Sequence, residues 1–289
     1  MDTAPLQDHR AATETVALVP FSTQHLPGAL KLSQEMSWPY RIEDWAFALK
    51  VGQGFVLEQG GEVIGTAAWF PYGDQAATVG MIIVSRKAQG RGLGARLVDR
   101  LLHAARGRCI VLNATPEGQA LYERRGFQPV GDLQQHHGIL DGAWTAPPSD
   151  LVRGLKPSDI DAIVRLDAEA TGFDRRALLS RLLDVGETQV LLRDGVPAGY
   201  AITRLFGRGH VVGPVVAETA AEARLLIEAA LQRLKGCFVR IDTAAIEELS
   251  PWLDEIGLRR ASSALTMALG ALPPSGPARM FALANQSFN

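Results

Sequence analysis

The second half of this chain repeats the first. VLEQGGEVIGT (56–66) aligns with VLLRDGVPAGY (190–200), placing Gly61 over Gly195 and Gly65 over Gly199 at an offset of 134. Each segment alternates apolar residues around a Gly-Gly or Asp-Gly pair, the pattern of a β-hairpin. Upstream, LVPFSTQHLPGALKL (18–32) aligns with VRGLKPSDIDAIVRL (152–166) at the same offset. Ser22/Thr23 and Ser158/Asp159 there suit the start of a helix. Downstream, VGMIIV (79–84) lies over VGPVVA (212–217) at an offset of 133, and RCIVLNAT lies over GCFVRIDT with Cys109 above Cys237 at 128. Five residues are therefore missing from the second copy between those two strands.

A unit of roughly 130 residues has the size of a domain, well beyond solenoid repeats. The prediction is two tandem domains of one fold, 1–146 and 147–289, joined at the Pro/Ser-rich TAPPSD (145–150). Each half reads as strand, helix, helix, hairpin, strand, helix, strand, helix, strand. That order implies an α/β (α+β) fold, with a mixed central sheet flanked by helices. A second Pro/Gly cluster, ALPPSGPA (271–278), precedes a short tail, RMFALANQSFN.

The 289 residues are 47% hydrophobic, ample for a buried core, and carry a formal charge of -2. This balance lacks the basic footprint of a nucleic-acid binder, so that partner is not expected. No apolar run reaches membrane-spanning length, and MDTAPLQDHRAATETV has no apolar core for a signal peptide, so a cytoplasmic protein without membrane partners is expected. Cys109 and Cys237 lie in apolar segments and read as buried reduced thiols. Apart from the adjacent His136 and His137, no His or Cys pair has ligand spacing, and no metal is expected.

The chemistry is concentrated in SRKAQGRGLGARLV (85–98), which has three glycines in five positions. The preceding VGMIIV is a short β-branched strand, and GARLVDRLLHAA puts Leu97, Val98, Leu101 and Leu102 on one helical face. A glycine-rich entry to a helix N-terminus, flanked by Arg86, Lys87 and Arg91, is suited to phosphate oxygens. The spacing G-x-G-x-G excludes the Rossmann fingerprint G-x-G-x-x-G, and the absence of G-K-S/T excludes the Walker loop.

QGRGLG, residues Gln89, Gly90, Arg91, Gly92, Leu93 and Gly94, resembles the Q/R-x-x-G-x-G/A pyrophosphate loop of the GNAT superfamily of acetyl-CoA-dependent N-acetyltransferases. LNATPEGQALYERRGF (112–127) is similar to a second cofactor motif of that superfamily. The tandem arrangement, MSWPYRIEDW (36–45) and GPVVA together resemble the YitH-like two-domain branch. The resemblance implies two GNAT-like domains and binding of acetyl-CoA. Its pyrophosphate would lie on the amides of 90–94, its pantetheine along Ile83 and Val84, with a further hydrogen bond from Asn113. It also implies that Tyr122 is the general acid for the departing thiolate, since a phenol stays protonated at neutral pH.

The base is not evident, because VGMIIV offers no carboxylate. Glu35, Asp44, His136, His137 and a chain of waters all remain candidates. Glu35, Trp38 and Tyr40 stand in the region that covers the acceptor in the family, with Trp45 nearby. Asp167, Glu169, Asp174 and Arg175 occupy the corresponding stretch of the second half. In that half ETAAEARLL replaces the glycine loop and Leu253 replaces Tyr122. The second copy is thus expected to be degenerate and to wall the substrate cleft. The expected activity is acetyl transfer to a primary amine of a small molecule or peptide by direct attack, in a monomer or homodimer. The rival is a non-catalytic acyl-CoA-binding sensor.

Overall fold

The computed structural model describes residues 15–141, 143–147, 149–274 and 276–289; most of MDTAPLQDHRAATETV lies outside them. The first half supplies β1 (Ala17–Pro20), α1 (Leu26–Glu35), α2 (Ile42–Val51), β2 (Gln53–Gln59), β3 (Glu62–Tyr72), β4 (Ala76–Val84), α3 (Leu93–Ala104), β5 (Cys109–Ala114), α4 (Pro116–Glu123) and β6 (Gln128–Ile139). The second half repeats this order as β7 (Val152–Gly154), α5 (Ile160–Thr171), α6 (Arg176–Val185), β8 (Glu187–Arg193), β9 (Val196–Phe206), β10 (Gly209–Ala217), α7 (Ala220–Leu231), β11 (Phe238–Thr243), α8 (Ile246–Glu255) and β12 (Arg259–Leu269). It adds one strand, β13 (Arg279–Ala282), taken from the tail.

Both copies join one 13-stranded mixed sheet in the order β1-β2-β3-β4-β5-β12-β6-β11-β13-β10-β9-β8-β7. The final strands are exchanged. β12 of the second half pairs with β5 and β6 of the first, and β6 pairs with β11 of the second. Each half therefore satisfies an inner edge with the other's last strand.

One face of the sheet carries α1, α2, α5 and α6 over a shared core that includes Trp45, Phe70, Tyr72, Leu179, Tyr200 and Phe288. The other carries two separate cores. Leu97, Val98 and Leu101 of α3 pack with Tyr122 and Phe127 in the first half, and Leu226, Ile227 and Leu253 pack in the second. Leu102 is only half-buried, so the buried stripe of α3 is Leu93, Leu97, Val98 and Leu101. Both cysteines are free and half-buried, where full burial was expected.

Candidate functional site

The parallel pair β4 and β5 is in register only from Ala76↔Cys109 to Thr78↔Val111. Beyond Thr78 the strands part, and the β5-facing edge of Val79–Val84 is left without a ladder partner among the described residues. A bulge sharpens the divergence. Thr66 faces Ile83 and Ala68 faces Gly80, so Met81 and Ile82 together oppose Ala67. Met81 has φ 54°, an uncommon conformation for a side-chain-bearing residue. Motif reading missed this bulge, because its signature is a register shift and not a residue type.

The glycine loop follows directly. Gly90 and Gly92 have φ of 76° and 73°, a left-handed conformation that costs other residues roughly 1–2 kcal/mol. A Cβ at either position would meet nothing within 4 Å. Packing therefore does not demand glycine here, whereas the backbone turn and close approach from outside do. Gly92 caps α3 without a side-chain acceptor, and the helical ladder begins with Arg96 N–H on the Gly92 carbonyl at 3.1 Å. The amides just before it are those that a helix leaves unpaired. Gln89 donates to the Val84 carbonyl at 3.1 Å and Arg91 to Gln59 Oε1 at 3.0 Å, so both side chains hold the loop against its flanks. Leu93 is buried under the turn. Ile83 and Val84 pair with β3 on one side only.

Tyr122 lies on α4, 8% exposed, against Phe127 with ring centroids 5.9 Å apart. Its hydroxyl has no hydrogen-bond partner among the described residues. Burial pushes its pKa up to about 12, with Arg125 opposing weakly. The phenol is thus held as an acid across the neutral and alkaline range. Asn113 is engaged within the protein: its amide accepts from Thr266 Oγ1 at 2.7 Å and donates to the Gln286 carbonyl at 2.9 Å and Asn289 Oδ1 at 2.6 Å.

Those last contacts reveal a feature absent from the motif reading. After β13, residues 283–289 cross to the first half and lodge where β4 and β5 part. Thr78 Oγ1 donates to the Ser287 carbonyl at 2.7 Å, Tyr72 bonds the Phe288 carbonyl, and Arg175 bonds the Asn289 carbonyl. Phe288 packs edge-on to Phe70 with ring centroids 4.7 Å apart. The apolar FALA after a Pro/Gly cluster was the available signal, since it reads as a strand.

The proposed acceptor residues lie at the end of α1 and in the turn that leads to α2. Tyr40 meets Phe206 of β9 at 5.2 Å between centroids and lies 6.2 Å from Trp38. Burial raises its pKa. Trp45 is fully buried core, its indole donating to Ser33. Glu35 accepts from Arg86 N–H at 2.6 Å and Ser85 Oγ at 3.2 Å, tying α1 to the end of β4.

Several other candidates are engaged within the protein. Asp44 pairs with Arg41 at 2.8 Å and accepts the Gly207 N–H at 3.0 Å, clamping the halves together. His136 is fully buried, with its ring nitrogens 2.9 Å from the Leu258 carbonyl and from Ser250 Oγ. His137 sits on β6 beside Phe238, its pKa lowered by burial and by Arg208 and Arg240. Asp167 and Arg175, considered above for amine recognition, form a wholly buried pair with contacts of 2.9 and 2.6 Å, and Tyr200 donates to the same carboxylate. Glu169 accepts from Ala278 N–H and Asp174 from Arg176 N–H. These carboxylates are already bonded within the protein.

The second half closes the equivalent gap twice over. Strands β10 and β11 pair only at His210↔Val239 and Val211↔Arg240, and β13 fills the opening beyond by pairing with both. The start of α7 is capped from within: Thr219 Oγ1 accepts Glu222 N–H, and the Glu222 carboxylate accepts the N–H groups of Glu218 and Thr219. Arg193 pairs with both glutamates. Among the described residues no cluster of three or more His, Cys, Asp or Glu side chains could hold a metal. No helix there is long and apolar enough to cross a membrane.

Two family models, each described as an acetyltransferase (GNAT) domain, match residues 50–129 and 163–282. The chain is 26% identical over 215 residues to the uncharacterized N-acetyltransferase YitH of Bacillus subtilis, covering 73% of this chain and 76% of that one. It is 28% identical over 227 residues to a holothin acyltransferase of Pseudoalteromonas, covering 71% and 76%. A proposed acetyltransferase from Pyrococcus horikoshii superposes with a TM-score of 0.80 at 18% identity, covering 98% of this chain and all (100%) of that one.

Proposed function

Because the chain belongs to the GNAT acetyltransferase family, with two such units in tandem, we propose that its first half is an acetyl-CoA-dependent N-acetyltransferase acting on a primary amine. The observation that carries this reading is the conjunction of a glycine loop, an unpaired helix start and an unladdered β4 edge in one copy, all three closed in the other. The residues fit the cofactor. Amides of 90–94 offer phosphate donors without intervening side chains, and beyond Gly80, where Ser287 of the tail lies against the strand, the edge of Met81–Val84 offers alternating N–H and C=O groups to an extended amide-bearing arm.

When bound, acetyl-CoA supplies an activated thioester. The chain's own groups then hold it beside the amine, which removes much of the entropic barrier. Amides released by the Met81–Ile82 bulge are suited to polarising the acyl carbonyl. The amine attacks the acyl carbon, the C–S bond breaks, and Tyr122 gives its proton to the departing sulfur; the ammonium proton leaves to solvent. Cys109 pairs with Ala76 at the closed start of β4 and β5 and Cys237 lies in the second half, which supports direct transfer. Titration of the full chain with acetyl-CoA, followed by thiol release over a panel of amines, tests this: stabilisation with amine-dependent thiol release is expected. A folded protein that acetyl-CoA does not stabilise overturns it.

A further inference from the structure

At the end of α3 remote from the glycine loop, the first half opens into a cavity of about 910 Å³. Its volume is in the range of small-molecule sites, roughly 300–1,000 Å³. Arg100, His103, Arg106 and Arg108 line one side, and Phe55 and Trp69 lie beneath. Arg100 rests 4.3 Å over the Phe55 ring and Arg108 5.4 Å over Trp69. His103 and Arg106 approach to 3.3 Å. Among the described residues, the sole carboxylate within ion-pair distance of these four is Asp74, 3.6 Å from Arg108 and 97% exposed.

A helix C-terminus favours a cation in its last turn, and His103 fills that place. Arg106 and Arg108 follow beyond the helix and add two guanidiniums to the same wall. Trp69 adds an independent observation. It is 7% exposed, and its indole N–H, a donor with no acceptor function, is buried without a partner. Three guanidiniums present forked donors matched to phosphate, and a guanidinium already lying flat on an aromatic ring offers its outer face to a planar base.

We propose that this cavity binds a nucleotide, with Arg106 and Arg108 on its phosphates and the Arg100 guanidinium, already flat on Phe55, against its base. The site is distinct from the glycine loop. Because coenzyme A itself carries an adenine nucleotide, the experiment is calorimetric titration of the full chain with ATP, GTP and inorganic triphosphate, with saturating coenzyme A present throughout. One ATP or GTP per chain is expected, at least tenfold tighter than triphosphate. Arg100→Ala/Arg106→Ala is expected to weaken it at least tenfold while leaving coenzyme A affinity within twofold. Should the double variant fail to fold, Arg106→Glu, at an exposed position, reads the same contact. No heat with either nucleotide, unchanged affinity in the variants, or equal binding of triphosphate overturns the assignment. A failure of coenzyme A to bind bears on the acetyltransferase reading alone.

Discussion

Tyr122 is a buried ring whose hydroxyl has no hydrogen-bond partner among the described residues, as suits a proton donor if the group it serves arrives with the substrate. Removing the hydroxyl while keeping the ring preserves the contact with Phe127. Tyr122→Phe is therefore expected to retain acetyl-CoA affinity and lose about 10²-fold or more in the rate of thiol release, as followed by stopped-assay thiol detection. Equal rates would assign Tyr122 to packing. Tyr72 and Tyr122 are both raised by burial to about 12 from an ordinary value of 10.0. The folded state holds the neutral phenol, so the stability tied to each is complete below about pH 10 and is lost as pH rises through 12. Alkaline titration should show tyrosinate absorbance from these rings arriving together with unfolding, and a catalytic profile with no limb from Tyr122 near neutrality. Tyr122 was legible in the sequence because a family motif fixes its spacing from Gly126. The engagement of Asn113 with Gln286 and Asn289 was not, since 173 and 176 residues separate those partners.

At the scale of elements, β4 and its sequel depend on two kinds of glycine. Gly92 is required by its left-handed cap. Gly92→Ala is expected to cost about 1–2 kcal/mol through backbone strain and to weaken coenzyme A binding, both read by thermal shift with and without the cofactor. Gly80 is required by contact instead: a Cβ there would fall 2.5 Å from Ser287 Oγ and 3.0 Å from its Cα. Gly80→Ala should displace the tail and lower stability by about 1–3 kcal/mol, the usual cost of overpacking, with protease cleavage within 283–289 as the readout. Protection equal to wild type would separate the tail from β4. The loop was readable because its residues are contiguous. The Met81–Ile82 bulge and the lodged tail were not, because each is defined by what lies across from it.

For the whole molecule, the exchange of β6 and β12 makes the two copies one cooperative body. Residues 1–146 alone would leave β5 and β6 without the strand between them, so this fragment is expected not to fold as a monomer. Co-expressed with 147–289, it should be recovered as a complex. The intact chain is expected to unfold in a single transition, monitored by circular dichroism and intrinsic fluorescence together; separate transitions for the two halves would contradict this. The buried Asp167–Arg175 pair ties the second half to the tail on the first. Arg175→Met leaves that carboxylate uncompensated and should cost about 3–5 kcal/mol, seen as a shift of the whole unfolding curve.

The sequence by itself determined the repeat, the mixed α/β class, and the glycine loop that survives in one copy alone, because these are carried by local periodicity and contiguous motifs. It also showed that the second copy lacks the loop. Tertiary structure decided which strand pairs with which, and how the second opening is closed. The two last strands present equivalent backbone edges, and ladder hydrogen bonds do not read side chains. Nothing local distinguishes pairing within a copy from pairing across copies, so the exchange, and the path that carries the tail through one opening into the other, is set by the packed whole.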